Sequence, residues 1–393
     1  MSRRNASAAS FPDGMLVFVT VLLLCGGLIM LTSASISVAE NSAGSPFFYL
    51  KQQLLAVVVG LAAGAFMLKV PTEIWERMGF GLVVIAMLLL IAVLIPGVGR
   101  TVNGATRWVN LGFMNIQVSE PARLLIMMYL AGYAVRFQDE LRTSFGGFAK
   151  PMALVGISCV LLLMQPDFGA ATVLLAVTLG ILFVAGGRLL YFFAGCGTVL
   201  LALGALAVTS PYRMKRITGF LDPWADPFNT GFQLTQSLIA IGSGDVFGLG
   251  LGNSVQKLFY LPEAHTDFVF AVIAEEFGLV GSLVVIVLFG VLVWRALAIA
   301  RQSAMLNRYY QAYLAFGIAI WLGVQSVINI GVNMGVFPTK GLTLPLISYG
   351  RSSLIITMMA VALLMRIDLE NGVPVSKKPK KNARNTKSRR AAR

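Results

Sequence analysis

Ten stretches of mainly apolar residues follow one another along this 393-residue chain, each near the length a helix needs to cross a bilayer. That length is about 20 residues, and a helix is favoured because lipid offers backbone N–H and C=O groups no other partner. The stretches are residues 15–36, 51–70, 78–96, 119–136, 150–166, 168–186, 189–210, 267–297, 309–334 and 348–367. Charged residues make up 12% of the chain, about half the share of a soluble domain. A soluble enzyme is excluded. The pattern predicts an all-α polytopic membrane protein, with a cytoplasmic N-terminus 1–14, a ten-helix membrane domain 15–367 and a tail 368–393. The first run is long and no clear small-residue cleavage site follows it, so it reads as an uncleaved span rather than a signal peptide.

Charge orients the chain. The formal net charge is +14, yet residues 373–393 hold nine Lys and Arg and no acid. Such a block builds no core and suits anionic headgroups on the cytoplasmic leaflet; nucleic-acid binding is not expected. With both termini in the cytoplasm, Arg3, Arg4, Lys69, Arg77, Arg136 and Arg142 also fall on the inner side, as the positive-inside rule requires. The outer connections are then unequal, and the longest, residues 211–266, runs to 56 residues. Long connections of this kind are usually functional, so chemistry is expected on the outer face. The three cysteines lie in apolar runs and His265 is the only histidine, which leaves neither a disulfide framework nor a Cys/His zinc site.

Several polar residues stand out from this background. Asp267 follows the long connection where the eighth span begins, and burial at that boundary raises a carboxylate toward a usable base. Glu275 and Glu276 lie inside the same run, where ionisable groups are costly and functional by default. Of the two, Glu275 more nearly shares the helix face of Asp267. The connection before the fourth span holds Arg107 and Trp108 and leads into Ser119-Glu120-Pro121-Ala122-Arg123. There Ser119 is expected as the helix N-cap, Pro121 suits the first turn, and Glu120 and Arg123 are spaced to pair. Capping and a polar cavity wall are both open readings of this segment. The long connection adds Arg213, Lys215 and Arg216, an interfacial anchor or a phosphate clamp. Its run Gly248-Leu249-Gly250-Leu251-Gly252 superficially resembles a nucleotide loop, but no Rossmann unit precedes it, so no organic cofactor is expected. Lys340 lies on the outer side before the last span, and Ser348 at its start suits close packing or a polar pocket.

Four stretches make the chain resemble the SEDS family (shape, elongation, division and sporulation). They are Asn103 to Gly112, Gln165-Pro166-Asp167-Phe168-Gly169, Leu261-Pro262-Glu263-Ala264-His265-Thr266-Asp267-Phe268, and Gly341 to Ser353. Their order among the spans matches too, so the resemblance covers residues 10–367. Ala264 and Val102-Asn103-Gly104 favour the family's cell-division branch. Two departures stand out: Val118 and Arg123 replace a proline and a lysine often found there, and Arg351 replaces a glycine. The resemblance implies a peptidoglycan glycosyltransferase that polymerises lipid II at the division septum of the bacterial inner membrane. It also implies work beside a class B penicillin-binding transpeptidase and other division proteins, and it puts the family's essential aspartate on Asp267.

On that reading Asp267 accepts the proton of an acceptor sugar hydroxyl as its oxygen displaces a lipid diphosphate with inversion. Arg107, Arg123, Lys340 and the Arg213/Lys215/Arg216 cluster would balance the leaving charge. A divalent cation, Mg or Mn, suits the same task, although no carboxylate cluster in the sequence specifies its site. Trp108, Glu120, Glu275 and Ser348 remain as substrate contacts or cavity residues. The rival readings are a lipid II flippase, which would use Glu275 and Glu276, and a division scaffold without chemistry.

Overall fold

The computed structural model describes residues 12–102, 104–110, 112, 114–208, 214, 218–338 and 341–373. Its helices are α1 (Gly14–Ala43), α2 (Phe48–Lys69), α3 (Thr72–Met78), α4 (Phe80–Ala92), α5 (Ser119–Arg136), α6 (Gln138–Thr143), α7 (Phe145–Met164), α8 (Phe168–Val184), α9 (Leu189–Val208), α10 (Phe232–Ser243), α11 (Val269–Met305), α12 (Tyr309–Asn333) and α13 (Arg351–Gly372). Side chains set several of the starts by accepting orphan backbone N–H groups. Asp13 accepts from Leu16 at 2.8 Å, Ser144 from Gly147 at 3.1 Å, and Asp167 from Ala170 at 3.1 Å.

Each of the ten expected spans coincides with helix. Six, α1, α2, α7, α11, α12 and α13, are long and apolar enough to cross a membrane, and α3 with α4, bent by 73°, counts as a seventh when taken as one broken span. Among the described residues, length and composition by themselves support these seven of the expected ten. Helix α5 carries Glu120, Arg123 and Arg136, and α8 has 17 residues, so both fall short although both are largely buried. Large apolar side chains such as Phe18, Val58, Leu61, Phe80 and Leu88 point outward, which is how a lipid-facing surface differs from a water-facing one. The chain is a multi-pass membrane protein.

Helix α12 lies at the centre, packed against α5, α8, α11 and α13, while α13 lies along α2. Gly60 allows that last approach: a Cβ there would stand 2.5 Å from Met358 Sδ. Small residues at such contacts let membrane helices pack closely.

Residues 97–118, expected as a plain connection in an all-α fold, instead hold a three-stranded antiparallel sheet. Strand β2 (Ala105–Asn110) pairs with β1 (Gly99–Val102) and with β3 (Asn115–Gln117), setting Trp108 opposite Gln117. An Asn-Gly pair between short β-prone runs is a hairpin signal, and Gly104 takes the positive φ of 75° that such a turn needs. Helix α13 runs to Gly372, into the segment expected as tail; residues 374–393 lie outside the described residues.

The long connection is not structureless. Its amphipathic part forms α10, which packs on α11, and its glycine run joins a break in that helix. Gly278 interrupts α11 at φ 65°, ψ −158°, freeing carbonyls that a continuous helix would use. Leu249 and Gly250 donate to the carbonyls of Glu275 and Glu276, each at 3.0 Å, and Leu279 donates back to Asp245 at 2.9 Å. Gly248 permits this approach, since a Cβ there would stand 2.2 Å from the Glu276 carbonyl. The glycine run is a backbone clasp.

Candidate functional site

The Leu261–Phe268 stretch forms a tight turn before α11, with Glu263 at a positive φ of 57°. Its carbonyl accepts from Thr266 at 3.1 Å and Phe268 at 3.2 Å. Asp267 is half-buried, and its own carbonyl accepts from Asn329 Nδ2 and Asn333 Nδ2, each at 3.0 Å. The same Asn329 nitrogen donates to the Leu342 carbonyl at 2.6 Å, and Asn333 Oδ1 accepts from Ala271 at 3.1 Å. Two amides one turn apart on α12 therefore fix the backbone at and after Asp267 and the turn after α12. The carboxylate reaches that turn: a Cβ on Gly341 would stand 3.3 Å from Asp267 Oδ2.

This closeness gives a direct expectation. Gly341 is not among the positive-φ glycines, so Gly341→Ala fits the backbone but crowds the carboxylate by a few tenths of an ångström. A misplacement of about 1 Å in a reacting group costs about 10²-fold, and a smaller shift of the expected base costs correspondingly less. We expect activity to fall while the thermal midpoint holds, measured on the same membrane preparation; wild-type activity would show that the carboxylate needs no clearance there.

A second support comes from aromatic packing. His265 lies between Tyr49 and Tyr349, at ring-centroid distances of 4.6 and 5.8 Å, and its carbonyl accepts from Tyr349 N at 2.9 Å. Burial lowers the imidazole pKa from its ordinary 6.5, and Glu263 opposes the shift only in part. A depressed value favours the neutral ring, so this stability is present above pH 6.5 and is lost as pH falls through the folded-state value. His265→Phe keeps the stacking without the titration. Its midpoint should fall less than the wild type's between pH 7 and pH 5, about the range in which histidine titrates; parallel pH profiles would refute the assignment.

The other motif residues converge on the same end of the bundle. Arg107 on β2 donates through Nε to the Gln165 carbonyl at 3.0 Å and through Nη2 to that of Pro166. Asp167 accepts from Gln117 Nε2 at 3.0 Å and from Ser119 Oγ at 2.9 Å. Ser119 is thus not the N-cap: α5 begins at Ser119 itself, Val118 precedes it, and the hydroxyl is drawn away by Asp167. Gly169 brings α8 against the last motif, since a Cβ there would stand 2.6 Å from Leu342 Cγ. Trp108 is half-buried on β2.

Glu120 and Arg123 do pair, inside the protein rather than in an open cleft. Arg123 is 2% exposed, lies 4.5 Å from the centroid of the Trp321 ring, and donates to Gln325 Oε1 at 3.2 Å. Gln325 Nε2 continues to the Thr343 carbonyl at 2.9 Å. Gln325, Asn329 and Asn333 form one polar stripe on α12, which sequence reading missed. Three amides at four-residue spacing in an apolar span were its signal.

Glu275 and Glu276 are 1% and 0% exposed and are engaged with the long connection. Glu275 accepts from Ser254 Oγ and, at 2.9 Å, from Val255 N. Glu276 Oε1 accepts from Lys257 Nζ at 2.8 Å and Ser33 Oγ at 2.6 Å. Ser348 Oγ accepts from Leu344 N at 2.8 Å and shapes the turn. Arg213, Lys215, Arg216 and Lys340 lie outside the described residues. No group of three His, Cys, Asp or Glu suited to a metal occurs among the described residues.

Fold and site together define a helical membrane protein that fixes one half-buried carboxylate among motif turns at the end of its bundle. The FtsW/RodA/SpoVE family model, described as a cell cycle protein, matches residues 14–372. The chain belongs to this family, the SEDS family, and is most like its FtsW members. It is 55% identical over 353 residues to the probable peptidoglycan glycosyltransferase FtsW of Thioalkalivibrio sulfidiphilus, covering 90% of this chain and 88% of that one. Identity to the corresponding Coxiella burnetii protein is 48% over 373 residues, covering 94% and 99%. Among solved structures, a chain from work on polymerization and crosslinking by a peptidoglycan synthase complex superposes with a TM-score of 0.74 at 30% identity, covering 92% of this chain and 98% of that one. RodA of Thermus thermophilus gives 0.66 at 30% identity, covering 91% and 96%.

Proposed function

We propose that this protein is a peptidoglycan glycosyltransferase that polymerises lipid II at the division septum, with Asp267 as general base. The names of relatives about half identical over most of the chain support the enzyme class. One observation supports the assignment of the base: the Asp267 backbone is tied to two α12 amides while its carboxylate stands beside Gly341. A base held this way loses little orientational freedom when the acceptor arrives.

In the proposed step the 4-hydroxyl oxygen of the acceptor sugar attacks the anomeric carbon of the lipid-linked chain. Its proton passes to Asp267, the anomeric C–O bond breaks, and the lipid diphosphate leaves with the electron pair. Single displacement inverts the anomeric centre. Arg107 retains half-exposed donor capacity beyond its two carbonyl bonds, and Lys340, Arg213, Lys215 and Arg216 are the further cations proposed to balance the departing charge. The interior pair Glu120 and Arg123 would position α5 against α12. Trp108 is proposed as a sugar contact. A divalent cation would enter with the diphosphate, and no step here runs through it.

Both termini are proposed to face the cytoplasm, with the site at the outer surface beside a class B penicillin-binding transpeptidase and other division proteins. The test is purified full-length protein in lipid, with that partner, supplied with lipid II. Glycan strands with inverted linkages are expected. Movement of lipid II between leaflets without strands would replace the reading with a flippase; partner binding without either would leave a scaffold.

A further inference from the structure

A second constellation lies where the sheet meets the start of α13. Arg100, Asn110, Gly112, Met114, Asn115 and Arg351 line a polar cavity of about 160 Å³. Two arginines share this small space, and the lining has no carboxylate. Neither takes part in an ion pair among the described residues. The side-chain partner of Arg351 is neutral, Gln52 Oε1 at 2.6 Å. Like charges gathered in one pocket repel, and an anion between them turns that repulsion into attraction.

The pocket is also held in shape. Ser352 Oγ accepts from Gln117 N at 2.9 Å and donates to the Asn115 carbonyl at 3.2 Å, tying β3 to the first turn of α13. Asn110 Oδ1 accepts from Gly112 N at 2.8 Å and fixes the β2–β3 turn. Arg351 begins α13, so the positive end of the helix dipole adds to the two guanidinium charges. Turn residues 341–350 connect this pocket to Gly341 beside Asp267. Arg351 stands where the family often has glycine.

We propose that the Arg100–Arg351 cavity binds a phosphate group, supplied by a lipid-linked diphosphate or by an anionic phospholipid headgroup. Phosphate is favoured because two planar guanidinium forks match its several oxygens. The diphosphate source deepens the glycosyltransferase reading and rests on it; the phosphate site itself does not.

The test uses the full chain in phosphatidylcholine nanodiscs, with farnesyl diphosphate binding measured by calorimetry. Phosphatidylglycerol retention, read by native mass spectrometry, forms the second arm. Arg100→Gln and Arg351→Gln should each weaken binding about tenfold, and the double variant about a hundredfold, as expected for lost charged hydrogen bonds. Arg351→Lys should fall between, and added salt should weaken binding further because Arg100 is exposed. Loss in the farnesyl diphosphate arm identifies the diphosphate, and loss confined to the phosphatidylglycerol arm identifies the headgroup. Wild-type behaviour of the double variant in both arms overturns the proposal. Should that variant unfold, the exposed Arg100→Gln alone decides. Asp267→Asn is expected to bind farnesyl diphosphate normally, so a failure of the pocket and a failure of the base remain distinguishable.

Discussion

Lipid II polymerisation by Asp267→Asn is expected to fall about 10²–10⁴-fold, the usual contribution of a general base. The substitution keeps size and shape and removes the proton acceptor. It leaves the backbone anchors alone, because Asn329 and Asn333 donate to the residue's carbonyl rather than its side chain. Folding, membrane insertion and partner binding should therefore survive. The measurement is the initial rate of strand formation with the transpeptidase partner present, next to a thermal midpoint and a co-purification assay. Near-normal rates would leave the proposed displacement without a base. Lost strands together with lost partner binding would point to a scaffold instead.

The helices were legible because burial in lipid demands long apolar runs, and those runs leave a plain trace in the sequence. The sheet was less legible, since strands of three to six residues carry little periodicity and the Asn103-Gly104 pair in the sequence was the main clue. Ser119 shows a different limit. A serine before an apolar run is a good cap by local rules, and the competitor that took its hydroxyl, Asp167, is 48 residues away. The pairing of Glu120 with Arg123 could be read from spacing; that the pair faces inward could not, because Trp321 and Gln325 come from a distant helix. The resemblance singles out Asp267, while the amides holding its backbone were overlooked, as polar residues in an apolar span read individually as packing. Glu275 and Glu276 drew attention for their cost in lipid. Their answer lay in the connection preceding them, whose backbone follows no periodic pattern.

That answer carries the second large expectation, on Lys257→Met. Lys257 and Glu276 are 8% and 0% exposed, and Lys257 Nζ also donates to Ser33 Oγ at 2.9 Å. Among the described residues, removing the lysine leaves a buried carboxylate with Ser33 alone, while its Oε2 already lacks a partner there. Breaking such a pair from one side costs about 3–5 kcal/mol. The effect should be local in origin, because the pair lies next to the backbone clasp at Leu249 and Gly250, and the same connection runs on to Asp267. Thermal unfolding in lipid should show the loss, and limited proteolysis should cut residues 244–258 before the helices. Lys257→Met with Glu276→Gln removes both charges and keeps a hydrogen-bonding group for Ser33, so the double variant should recover most of the stability. It also separates two roles. If Glu276 serves as a tether, the double variant makes glycan strands at near wild-type rates. If Glu276 carries charge in a transport cycle, restoring stability would not restore lipid movement. A double variant as unstable as Lys257→Met alone would show that the two side chains are not coupled, and the clasp would then rest on its glycines.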